Sequence, residues 1–209
     1  MSRNGGEKRA GLTSDSYFCK YRNMSIPETS VIPGRIVLAG GSGFLGSVLA
    51  RHFTEKGWDA VILTRRADAR IPRGRAVGWD GHSPGPWAKE LEGAVAVVNL
   101  AGVSVDCRYT ARNRRLILDS RIKSTRVLKK AIGACATPPR VWLNSATATI
   151  YKHSFDQPMD ENSETGATAE AKDAFSIEVA RAWEEEFAGA QHLPAHQPRI
   201  AHPPDQRQR

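Results

Sequence analysis

Five short apolar runs punctuate the chain, with helical patterns between them. The runs at 35–39 (RIVLA), 60–64 (AVILT), 75–79 (RAVGW), 94–100 (AVAVVNL) and 140–145 (RVWLNS) each predict a buried strand. After the first, Leu45, Val48, Leu49, His52 and Phe53 recur at helical spacing, and Lys56-Gly57 resembles a helix end. Leu118, Ile122, Leu128 and Ile132 mark one face of a long helix between the fourth and fifth strands. Phe175, Val179, Trp183 and Phe187 mark one face of a last helix over 169–189. Strands alternating with helices predict an α/β fold: a parallel sheet with helices on both faces. There is no internal repeat.

The ends break this pattern. Residues 1–33 carry no sustained period and read as a flexible N-terminal extension, with Met24 inside it as an alternative start. Their mild basicity and several Ser and Thr leave an organelle-targeting reading open. Residues 191–209 (QHLPAHQPRIAHPPDQRQR) hold four of the twelve prolines and neither glycine nor aromatic residue, a composition that cannot bury a core. They read as a disordered tail, either a natural terminus or the product of a frameshift near codon 190. On the second view the C-terminal part of the fold is missing. The fifth strand then becomes an open edge, and low stability or self-association into a homodimer follows. The domain proper is expected over 34–190.

The net charge of +8 over 209 residues favours anionic partners and chooses none of them. Cys19, Cys107 and Cys135 are scattered and odd in number, with neither metal spacing nor a disulfide framework. A reducing, cytoplasmic compartment and no metal are expected. No apolar run approaches the ~18 residues of a membrane span. Residues 108–130 carry nine Lys and Arg against the single acid Asp119. A solvated outer face is the usual explanation for this, and attraction of a phosphorylated substrate such as a nucleotide sugar is the alternative. A nucleic-acid partner is disfavoured because aromatics for base stacking are sparse.

Gly40, Gly43 and Gly46 fit G-x-x-G-x-x-G, and Gly41, Gly43 and Gly46 also fit G-x-G-x-x-G. Between a strand and a helix, such glycines permit a tight turn, backbone approach to a pyrophosphate, and close helix–strand packing. The loop from Gly40 to Gly46, with Ser42, Phe44 and Leu45 between the glycines, is the expected phosphate cradle at a helix N-terminus. A carboxylate after the second strand would select NAD; this chain has Arg65 and Arg66 there. Guanidinium suits a 2′-phosphate, so NADP is expected over NAD. Trp79-Asp80-Gly81 follows the third strand and reads as the border of an adenine pocket or as an Asp-Gly turn.

VLAGGSGFLGSVLARHF, VVNLAGVSV, SRIKSTRVLKKAI, PPRVWLNSATATIY and AFSIEVARAWEEEF, in this order over about residues 34–190, resemble the extended short-chain dehydrogenase/reductase superfamily. The closer resemblance is to its NAD(P)-dependent epimerase/dehydratase-like proteins. The resemblance implies a Rossmann-like doubly wound sheet and oxidoreduction or epimerisation of a small polar substrate, such as a sugar nucleotide. It places Asn99, Ala101, Gly102 and Arg121 along the cofactor. It puts the Ser/Thr that holds the reacting oxygen at Thr147, with Ser145 nearby. The family's Tyr-x-x-x-Lys falls on Phe175 and Val179, which can neither give a proton nor tune one, and which read as core. Tyr151 is the replacement candidate, although Lys152 beside it points elsewhere on any regular element. A non-catalytic NADP-binding sensor is the competing reading.

Overall fold

The computed structural model describes residues 33–66, 68, 71–160 and 162–190. The expectations for residues 1–32 and for the tail 191–209 lie outside the described residues. Strands β1 (Arg35–Ala39), β2 (Asp59–Thr64), β3 (Arg75–Gly78), β4 (Ala96–Asn99) and β5 (Val141–Asn144) form one parallel sheet of order β3-β2-β1-β4-β5. Both faces are buried, so the strands read as continuous apolar runs. In β1 the side chains alternate: Ile36 and Leu38 join the core on one face, and Val37 and Ala39 join the core on the other.

Helix α1 (Phe44–Glu55) covers the first face through Leu49, Ala50 and Phe53. Helices α2 (Ala111–Gly133) and α3 (Ala174–Ala188), with the 3-10 turn Pro86–Leu91, cover the second. The alternation of runs predicts a parallel sheet with helices on both faces, and the Rossmann-like doubly wound order is the one that the family resemblance implies. The strand order reverses where β2 and β4 both pair with β1, which opens a crevice at the carboxyl ends of the strands.

The helix faces depart from the apolar spacing. In α1, Leu45 and Val48 are exposed, while Gly46 and Ala50 are buried. Small residues let this helix lie close on the sheet, and the larger ones are turned out. In α2 the buried stripe is Ile117, Ser124, Thr125, Val127, Leu128 and Ile132, with Leu118 and Ile122 only half-buried. Two hydroxyl residues hold interior positions because each bonds the Arg121 carbonyl one turn back, at 3.0 and 2.8 Å. Helix α3 starts at Ala174, five residues later than the pattern predicts. Asp173 caps a turn instead, its carboxylate accepting the Thr168 N–H at 2.9 Å, and Lys172 adopts a positive φ of 52°.

Helices α2 and α3 are bolted together. The Trp183 indole donates to Thr125 Oγ1 at 3.0 Å, and Glu186 pairs with Arg126 at 2.6 Å and Lys129 at 2.7 Å. Two of the cations on the basic helix are therefore used internally. Arg112, Arg114, Arg115, Lys123 and Lys130 are exposed, as a solvated face requires.

Candidate functional site

Leu63 and Ala39, at the ends of β2 and β1, fix the glycine loop to the sheet. Gly40 N–H donates to Leu63 O at 2.9 Å, and Leu100 N–H donates to Ala39 O at 2.8 Å. Gly40 has φ +73°, and a Cβ there would stand 2.7 Å from the Ala101 Cα, so both the turn and the close approach demand glycine. A Cβ on Gly46 would overlap the Gly41 carbonyl, so this pair sets the helix–strand contact. A Cβ on Gly43 would meet nothing within 4 Å. Gly43 is the N-cap of α1 and offers no side-chain acceptor, so the first-turn N–H groups lack a protein cap. The three roles fall on Gly40, Gly43 and Gly46, and Gly41 joins the packing contact. An open surface of uncapped N–H groups at a helix N-terminus fits a pyrophosphate.

This loop forms one wall of a cavity of about 470 Å³ at the switch point. Gly40, Ser42 and Gly43 line it, with Arg65 after β2, Asp80 and His82 after β3, and Ala101 and Gly102 after β4. The cavity is large enough for most of a nucleotide half. Phe44 and Leu45 do not line it and are 83% and 58% exposed, so any part they play comes from backbone N–H groups. Arg66 is exposed outside the lining, and its N–H donates to Thr64 Oγ1 at 3.3 Å.

Trp79-Asp80-Gly81 forms the Asp-Gly turn. Asp80 Oδ1 accepts the N–H groups of His82 and Ser83, each at 2.8 Å, and Gly81 takes φ +85°. Burial opposes the charge on Asp80, but these backbone bonds outweigh it and hold the carboxyl below its ordinary value. The same turn lines the cavity. Trp79 is buried behind it against Trp87, with ring centroids 5.6 Å apart.

Asn99 sits behind the cavity wall rather than in it. Its side chain is fully buried, donating to Asn144 Oδ1 at 2.7 Å and Thr125 Oγ1 at 3.1 Å while accepting the Ala101 N–H at 3.1 Å. Asn99 does not itself line the cavity; it shapes the Ala101–Gly102 loop that does. Asn144, Thr125 and Trp183 complete this network, and sequence reasoning missed all three. Their signal was available as uncharged polar residues at the ends of apolar runs or inside a buried helix stripe.

The β5 side carries the hydroxyls. Ser145 N–H donates to Asn99 O at 2.9 Å, which extends β5 along β4, and neither Ser145 nor Thr147 lines the cavity. Thr147 caps a short 3-10 turn, with its hydroxyl 2.9 Å from that of Thr149. Tyr151 ends the same turn and bridges to Thr165. Lys152 pairs with Glu164 at 3.2 Å. Val179 is buried as core. Phe175 departs from that expectation: it is half-buried, stacked 5.4 Å from Tyr109 with the Arg114 guanidinium 4.8 Å from its ring. Arg121 lies half-buried behind Gly102. Among the described residues no group of His, Cys, Asp or Glu could hold a metal ion, and no helix is long and apolar enough to cross a membrane.

The family model of the NAD dependent epimerase/dehydratase family matches residues 36–186, spanning the sheet, the glycine loop and α3 up to Glu186. The chain belongs to the NAD dependent epimerase/dehydratase family. A nicotinamide dinucleotide is the cofactor class of this family. Among its relatives is the epimerase family protein YfhF of Bacillus subtilis, 30% identical over 161 residues, which are 77% of this chain and 50% of that protein. The crystal structure of human epimerase family protein SDR39U1 (isoform 2) with NADPH superposes with a TM-score of 0.61 at 26% identity, covering 78% of this chain and 51% of that one. A nucleoside-diphosphate sugar epimerase from Corynebacterium glutamicum superposes with a TM-score of 0.60 at 25% identity, over 79% of this chain and 33% of that one. The chain thus spans about half of the length of the first two and a third of the last.

Proposed function

We propose that this chain binds NADP(H) in the switch-point crevice and serves oxidoreduction or epimerisation of a small polar substrate of the sugar-nucleotide kind. One observation carries the reading. The open phosphate cradle at Gly43 and Arg65 line one cavity, while the two acidic residues of its lining have other partners: Asp80 bonds its own turn and Asp119 pairs with Lys123. A cation at the end of β2 suits a 2′-phosphate, whereas a free carboxylate there would suit ribose hydroxyls. The NADPH in the human relative supports the same choice. When bound, the cofactor supplies the hydride chemistry. The chain's own residues cradle the phosphates and, through Ser145 or Thr147, hold a substrate oxygen at the β5 end of the crevice.

A second reading has its own support. Phe175 offers no proton and Val179 no charge at the α3 positions where the family resemblance expects an acid and a cation. A sensor that binds NADP(H) without turnover fits that loss. Oxidation of NADPH with a panel of carbonyl compounds separates the two. Turnover that falls at least tenfold in Thr147→Ala or Ser145→Ala supports the enzyme. Tight NADPH binding with no turnover, and no response to Thr147→Ala, supports the sensor.

A further inference from the structure

Among the described residues, Arg121 is a half-buried cation without a carboxylate partner. Its guanidinium packs against the wall of the crevice: a Cβ added to Gly102 would stand 3.1 Å from Cζ and 3.3 Å from each Nη. It also packs against the ring of Trp183, with Cζ 5.2 Å from the centroid. Nη1 donates to the carbonyls of Val103 at 3.2 Å and Ile117 at 3.0 Å. These bonds use one nitrogen of a group that has five N–H donors. The acids nearby are committed elsewhere, Asp119 to Lys123 and Glu186 to Arg126 and Lys129. Burial pushes the Arg121 guanidinium down from its ordinary value, but an arginine remains charged at neutral pH. A cation drawn out of water with no counter-ion projects its field into the crevice on the other side of Gly102.

The position of Arg121 gives that field a target. Arg65 and Asp80 line the β2–β3 side of the crevice, and Ala101 and Gly102 line the β4 side. A dinucleotide spanning the switch point with its 2′-phosphate at Arg65 would carry its nicotinamide toward the β4 side, past Gly102, behind which Arg121 packs. The oxidised ring carries a positive charge and the reduced ring none. We propose that Arg121 is a fixed cation that biases this pocket toward the reduced cofactor. The inference rests on the NADP(H)-binding reading. At the effective dielectric of a partly buried site, a unit charge under ~10 Å away discriminates the two redox states by on the order of tenfold.

Equilibrium titration of the full chain with NADPH and with NADP⁺, followed by tryptophan fluorescence, tests it. The unaltered chain should bind NADPH about tenfold or more tightly than NADP⁺. Equal affinities overturn the proposal without any variant being made. Arg121→Met should bring the two affinities together by tightening NADP⁺ relative to NADPH, and Arg121→Lys should keep them apart. If Arg121→Met weakens both forms by the same factor, the residue is only a clamp on the Val103 and Ile117 carbonyls, and the proposal fails. Binding of neither form by the unaltered chain removes the cofactor reading itself, and this proposal with it. That outcome is distinct from binding both forms alike.

Discussion

Gly43 and Gly46 lie three residues apart in one loop and are glycine for different reasons. A methyl group on Gly46 runs into the Gly41 carbonyl, backbone against backbone, with no side chain free to move aside. Gly46→Ala should therefore destabilise the domain by about 1–3 kcal/mol, read as a lower midpoint in thermal or urea unfolding. An unchanged midpoint would contradict the contact. Gly43 has an ordinary φ of −85° and open space at its Cβ. Gly43→Ala should leave stability within about 0.5 kcal/mol of the parent. It should still cost roughly tenfold in NADPH affinity, because the methyl group stands where the phosphates approach. At this scale the glycine spacing was readable from the chain, but two overlapping motifs fitted it. Only the neighbours of each Cβ distinguish Gly40 as the turn and Gly41 as packing.

The helices were readable as elements and misread as faces. Counting apolar residues assigns Leu45 and Val48 to the core, yet Gly46 and Ala50 hold that side because backbone proximity there outweighs side-chain area. In α2 the buried stripe includes Ser124 and Thr125, which no hydrophobicity count selects. Thr125 joins α2 to α3 and to the strand ends through Trp183, Asn99 and Asn144. Thr125→Val keeps the volume and removes the hydroxyl. It should cost about 1–3 kcal/mol by leaving the buried Trp183 and Asn99 donors short of a partner. The Glu186 clamp adds an acid-sensitive component. Burial opposes the Glu186 charge, but the bonds from Arg126 and Lys129 and their charges outweigh it, so its carboxyl titrates below the ordinary value. A depressed carboxylate contributes stability that is present above the unfolded value near ~4.3 and lost as pH falls through the lower folded value. Glu186→Gln should flatten that part of the acid limb in unfolding experiments between about pH 5 and 3 while changing little of its shape at neutral pH. A variant whose acid limb matches the parent would remove the clamp from the account.

At the scale of the domain, the parallel sheet and its two cores follow from five apolar runs and the helical patterns between them, because the central strands are buried on both faces, whereas the strand order was implied by the family resemblance alone. What the chain did not disclose was the polar packing behind the crevice, where Asn99 and Asn144 look like ordinary strand ends until their partners on α2 are known. In the described sheet β5 is an outer strand, and Leu143 on it is 37% exposed. Such an edge offers backbone groups to a second copy. Sedimentation should show concentration-dependent self-association that Leu143→Lys reduces; a parent that stays monomeric at high concentration would count against it.

The most direct test of the central claim is the affinity of the unaltered chain for NADPH and for NADH, measured side by side by calorimetry at one ionic strength. The phosphate cradle at Gly43 and the cation at Arg65 predict a preference for NADPH of at least about tenfold, lost in Arg65→Ala. Equal affinities, or a preference for NADH, would contradict the assignment of Arg65 to a 2′-phosphate. Binding of neither would contradict the crevice as a dinucleotide site.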